Sequence, residues 1–154
     1  MIKIFFILIY FSASLLLSAE SIPKYIIDTI NYTAQRPENL KKGDKERGKE
    51  IFASRKVNCL SCHKAPIKEE KFQGNFGPNL EGVGDRYSKE QLRLIIINPK
   101  IFNPDTIMPA YFKNIDYFRT PDNLKNKTIL NINEVEDIVE YLYSLKNFEK
   151  KVDK

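Results

Sequence analysis

Apolar positions along this chain recur mostly at helical spacing, and no segment of any length alternates with the two-residue period of a strand. After the short basic start Met1-Ile2-Lys3, Ile4 to Leu17 is an apolar run broken only by Ser12 and Ser14. Ile22 to Leu40 is weakly patterned; Ile26, Ile27 and Ile30 suggest a short helix that Pro37 ends. Asp44 is an acceptable N-cap for a helix carrying Gly48, Ile51 and Phe52 on one face. A glycine inside a helix costs about 1 kcal/mol relative to alanine, and close approach of a second helix is the usual compensation. Ser88-Lys89-Glu90-Gln91 is a capping-box pattern opening a helix through Leu92, Leu94, Ile95, Ile96 and Ile97, which Asn98-Pro99 stops. Asn133-Glu134-Val135-Glu136 caps the last helix, whose stripe is Val135, Ile138, Val139, Leu142 and Leu145. Between these lie two long loops. Lys64 to Arg86 holds four of the six glycines, and Pro99 to about Leu130 is punctuated by Pro99, Pro104 and Pro109.

The expected fold is therefore all-α, three to four short helices joined by long loops. So little regular structure makes a thin core, and loops this long in a compact domain usually carry function or line a ligand. An apolar cofactor at the centre would explain how they stay ordered.

The first segment bears on compartment. An apolar run of about fourteen residues falls short of the roughly 20 a spanning helix needs and suits a secretory leader. Leu17-Ser18-Ala19 offers cleavage after Ala19, with Ala19-Glu20-Ser21 as a second option; the alternative is an uncleaved anchor. No cysteine follows the run to carry a lipid. The organisation expected is a signal peptide at 1–19, a lead-in at 20–42, one domain at 43–149 and a charged tail at 150–154. The mature chain is expected in a bacterial periplasm, an oxidising space.

Composition narrows the chemistry. With 42% hydrophobic and 29% charged residues, the chain is neither wholly disordered nor a polytopic membrane protein. The net charge of +5 falls to +4 when Lys3 leaves with the leader, too little to argue for nucleic acid or a membrane surface as partner. Two cysteines cannot make a disulfide scaffold or an all-cysteine zinc or iron–sulfur site, and the lone histidine excludes a His-rich metal site. Both cysteines and that histidine fall in one pentapeptide, Cys59-Leu60-Ser61-Cys62-His63.

Cys-x-x-Cys-His is the attachment signature of haem c. Two thiols within one helical turn can add to the two vinyl groups on one porphyrin edge, and the next residue aims an imidazole at the iron. The alternatives are a redox disulfide, which calls for a βαβ context not found here, or half of a zinc site, which needs a fourth ligand that Cys and His cannot supply. One haem c is expected. With His63 used, the strong remaining donor in the mature chain is Met108, in the stiff loop Asn103-Pro104-Asp105-Thr106-Ile107-Met108-Pro109. The alternative is a core methionine beside an open or lysine-ligated iron. His/Met ligation raises the reduction potential. Arg86 suits a haem propionate, as guanidinium suits carboxylate, or is a solvated surface residue. Tyr87, Tyr111 and Phe112 either wall the haem or fill core.

These residues resemble class I cytochrome c: Gly48-x-x-x-Phe52, the CxxCH, Gly77-Pro78-Asn79-Leu80, a Met-Pro loop, and a last helix with Ile138 and Tyr141. The resemblance implies that the first and last helices cross, pairing Gly48 and Phe52 with Ile138 and Tyr141, and that the Pro78 carbonyl accepts the His63 N–H. More narrowly, Arg47 to Phe52, Glu69 to Asn75, Gly82 to Ser88, Gln91-Leu92-Arg93 and Phe102 to Tyr111 resemble the SoxX family, monohaem subunits of the Sox sulfur-oxidation system. The likeness runs from about Gly43 to Leu145 and leaves Ile22 to Leu40 unaccounted for.

That resemblance implies a partner, SoxA, and an assembly (SoxAX, an L-cysteine S-thiosulfotransferase) that couples thiosulfate to a cysteine of the carrier SoxYZ. In the family the bond is made at a cysteine-ligated haem on SoxA. This chain has no third cysteine, so it is expected to carry electrons to a soluble cytochrome, with no catalytic residue of its own. The competing expectations are a free-standing diffusible cytochrome c and a structural partner whose haem mainly orders the fold.

Overall fold

The computed structural model describes residues 24–114 and 118–147. The expected signal peptide and the charged tail lie outside the described residues. A hairpin comes first, β1 (Ile26–Asp28) antiparallel to β2 (Thr33–Gln35), with Ile26 opposite Gln35, Ile27 opposite Ala34 and Asp28 opposite Thr33. Helix α1 (Lys45–Ala53), a 3-10 turn at Cys59–Ser61, α2 (Val83–Arg86), α3 (Lys89–Ile97), α4 (Pro99–Phe102), a second 3-10 turn at Asp122–Leu124 and α5 (Ile132–Ser144) follow.

The caps follow from side-chain chemistry. Asp44 accepts from the amides of Glu46 and Arg47 at 2.9 and 3.0 Å, satisfying donors that α1 itself leaves open. Ser88 and Gln91 close a capping box on α3. The last helix starts two residues earlier than the sequence pattern suggests, because Asn131 rather than Asn133 forms the capping box with Glu134. Leu145 sits just past its end. Pro99, expected only to stop a helix, also starts one, since its fixed φ and missing N–H suit a first helical position.

Helices α1 and α5 cross closely. A Cβ on Gly48 would fall 1.9 Å from the Asp137 carbonyl oxygen, so only glycine permits the approach. Phe52 and Tyr141 pack across the same crossing with ring centroids 5.4 Å apart. The core formed by Leu94, Leu130, Val135 and Val139 is fully buried between α3 and α5. Within it, Arg93 makes two hydrogen bonds to Glu136, at 2.7 and 2.9 Å, and a third to the Ala34 carbonyl at 2.8 Å.

The expected helix around Ile26, Ile27 and Ile30 is instead the hairpin, the only sheet among the described residues. The reason is local and distant at once. Asp28 turns the chain by accepting from the amides of Ile30 and Asn31 at 2.8 and 3.0 Å, competing with helical hydrogen bonds. Arg93 then takes the Ala34 carbonyl, which leaves the isoleucines exposed and Ala34 buried.

Candidate functional site

The pentapeptide forms one tight turn a short segment beyond the end of α1 at Ala53. The amides of Cys62 and His63 both donate to the Cys59 carbonyl, at 3.1 and 3.0 Å, so the two cysteines and the histidine are gathered on a single turn. Asn58 enters it in the left-handed region at φ 55°, which asparagine tolerates well. Both thiols are free. The glycine-rich loop then laces back over this turn: Gly74 donates to Leu60, Gly77 to Cys62 and Leu80 to Lys64, at 2.7, 2.7 and 2.8 Å.

That lacing positions the imidazole. His63 Nδ1 lies 2.9 Å from the Pro78 carbonyl oxygen, and an amide carbonyl can only accept, so Nδ1 is the donor and Nε2 is the ring nitrogen on the other side of the contact. Gly77 passes over the ring so closely that a Cβ would fall 2.3 Å from His63 Cε1. The sequence pattern singles out Pro78 but not Gly77 in this role; the glycine immediately before that proline is the available signal.

Cys59, Cys62, His63 and Met108 all line one cavity of about 400 Å³, whose other walls include Leu80, Ile96 and Ile138. Its size and apolar character are those of a small-molecule or cofactor site. Met108 arrives on a loop held by its own polar groups. Its amide donates to Thr106 Oγ1 at 3.2 Å, and Lys100 Nζ donates to the carbonyls of Pro104 and Thr106 at 3.3 and 3.0 Å. Tyr111 closes the loop by donating from its hydroxyl to the Val57 carbonyl at 3.0 Å. Burial pushes the Cys59 thiol up to about 11, partly offset by the neighbouring Tyr111 hydroxyl, and burial also raises Tyr111 itself.

The softer candidates separate. Arg86 borders the cavity and donates to the carbonyls of Glu81 and Asn79, at 2.7 Å each, which ties down the segment after Pro78. Tyr87 and Tyr111 line the cavity, whereas Phe112 packs edge-on against Tyr25. Phe76, Phe102 and Ile107 also line the cavity, and no spacing rule in their loops announces it. No group of three or more His, Cys, Asp and Glu side chains able to hold a metal ion occurs among the described residues. The donor set fits haem c: two free thiols, one imidazole held through Nδ1 and one thioether, on a cavity that is otherwise largely apolar.

Comparison with known proteins agrees with this chemistry. The cytochrome c family model matches residues 45–146. No curated protein sequence matches. Among solved structures, a chain of the crystal structure of SoxXA from P. pantotrophus is 30% identical, with a TM-score of 0.69; the match covers 80% of this chain and 95% of that one. The cytochrome c family implies a covalently bound haem c, and this chain belongs to that family as a SoxX-like class I cytochrome.

Proposed function

We propose that this chain is the periplasmic monohaem subunit of a SoxAX complex, and that it accepts electrons when thiosulfate is coupled to a cysteine of SoxYZ. The observation that carries the reading is the meeting of Cys59, Cys62, His63 and Met108 on one apolar cavity, in a chain that shares 30% identity with a SoxXA chain. Cys59 and Cys62 would hold the haem through thioethers, and His63 and Met108 would supply the nitrogen and sulfur donors to its iron. When bound, haem c supplies a one-electron iron couple, which His/Met ligation moves to higher potential. The Pro78 carbonyl orients the imidazole and raises its basicity. Arg86 keeps guanidinium donors beyond its two carbonyl bonds, and these would meet a haem carboxylate.

What supports a partner is the 30% identity with a chain of a SoxXA crystal structure. SoxA is the partner this reading names, with a soluble cytochrome as the onward acceptor and SoxYZ reached through the complex. The chain's two cysteines are both used in haem attachment, so the bond-making site belongs to SoxA.

The test is a tagged pull-down from the native organism grown on thiosulfate, with haem staining and mass spectrometry. Co-purification of a larger haem c protein, together with thiosulfate-dependent cytochrome reduction in the eluate, is the expected result. A monodisperse His/Met cytochrome with no companion would replace the subunit by a diffusible carrier.

A further inference from the structure

The hairpin has no part in the haem-binding reading above, yet it touches the Met108 loop at both ends. That loop runs from Asn103 to Ala110, between Phe102 at the end of α4 and Tyr111-Phe112, whose amides donate to the carbonyls of Ile96 and Ile97 at 3.1 and 3.4 Å. Tyr32 meets Phe102 edge-on with centroids 5.8 Å apart, and Phe102 meets Tyr87 at 5.8 Å; Phe102 and Tyr87 both line the cavity. At the other end, Tyr25 meets Phe112 edge-on at 5.3 Å.

The hairpin is anchored in the buried core between α3 and α5. Ala34 is fully buried, and its carbonyl accepts from Arg93 of α3, which is paired with Glu136 of α5. The Tyr25 hydroxyl lies 3.0 Å from Glu136 Oε1 and 3.2 Å from the Ile132 carbonyl oxygen. Tyr32 adopts φ 52°, an unfavourable region for a bulky side chain that persists only where the surroundings hold it.

We propose that the segment Tyr25–Gln35 is a brace for the axial-ligand loop, with Tyr25 and Tyr32 acting as positioning residues that keep Met108 at the cavity against competing ligands. The proposal rests on Met108 being the sixth ligand. An exogenous ligand binds only the fraction of molecules whose Met108 has left, so its apparent affinity reports that fraction directly. Ring contacts at the loop ends that break on opening keep the fraction small.

The experiment titrates the haem-loaded protein with imidazole, followed by absorbance, and measures hydrogen exchange at the Tyr111 and Phe112 amides. Tyr32→Ala and Tyr25→Leu are each expected to raise the imidazole affinity by about fivefold or more, with faster exchange at those amides. Tyr32→Phe, which keeps the ring edge, should behave as the parent. Val139→Ala, a cavity in the core of α5 away from the haem site, should lower the melting temperature with imidazole affinity within about twofold. A raised affinity in Met108→Ala, with both hairpin variants unchanged, would overturn the brace alone. Unchanged affinity in Met108→Ala would overturn the ligand assignment and the brace with it.

Discussion

Gly77 and His63 are in direct contact: a Cβ built on the glycine would fall 2.3 Å from the imidazole Cε1 and 2.5 Å from Nδ1. The same loop supplies the Pro78 carbonyl that fixes the ring, so one dipeptide sets both the clearance and the orientation of the His63 imidazole.

Gly77→Ala is therefore expected to push the imidazole off its line and weaken the Pro78 bond. Overpacking of this kind costs about 1–3 kcal/mol. The check is a denaturant melt alongside the absorbance spectrum of the haem-loaded variant, where a share of weakly ligated, high-spin iron should appear. Unchanged spectra would show that the loop moves away at no expense to the site.

Met108→His should lower the reduction potential, because imidazole favours the oxidised iron more than a thioether does. A fall of about 59 mV corresponds to a tenfold change for a one-electron couple and is the least expected. Spectroelectrochemical titration measures it. A potential that does not move would remove Met108 from the ligand set.

Arg93 and Glu136 form a buried, doubly hydrogen-bonded pair. Arg93→Met leaves the carboxylate uncompensated and also releases the Ala34 carbonyl, and breaking such a pair costs about 3–5 kcal/mol. Replacing both partners with methionine should recover much of that loss, since two apolar side chains leave no buried charge. Urea melts of the two variants distinguish the cases.

The Tyr141 hydroxyl is buried with no hydrogen-bond partner among the described residues, and burial pushes its pKa up to about 12. A folded-state pKa above the unfolded value of 10.0 means the native state holds its proton longer, so stability is lost as pH rises from there toward 12. Tyr141→Phe should leave neutral-pH stability unchanged or raise it by about 1 kcal/mol, and should flatten the alkaline part of the stability curve. Melts at pH 8 and at about pH 11 provide the check.

Much of the site is legible in the order of residues because its chemistry is short-range. Cys59, Cys62 and His63 share one turn, and a single turn spans consecutive residues. Met108 follows by elimination among the strong donors. The capping box of α3 is legible for the same reason, whereas that of α5 forms at Asn131 with Glu134 and not at the expected Asn133.

Ile26 and Ile27 show where that reading ends. Their spacing matches a helix, yet they lie in a strand and stay exposed, because the hydrogen bond that orders their hairpin comes from Arg93, 59 residues from Ala34. Phe102, Phe76 and Ile107 reach the cavity through loop paths that no periodicity describes. The linear chain by itself determined that two thiols and an imidazole share one short segment, since a Cys-x-x-Cys-His turn needs those residue types at fixed spacing. Tertiary structure alone decided what holds those atoms still: the Gly48 crossing, the Arg93–Glu136 pair and the hairpin against the Met108 loop. Those contacts depend on which distant surfaces meet, and that is set by packing the whole chain at once.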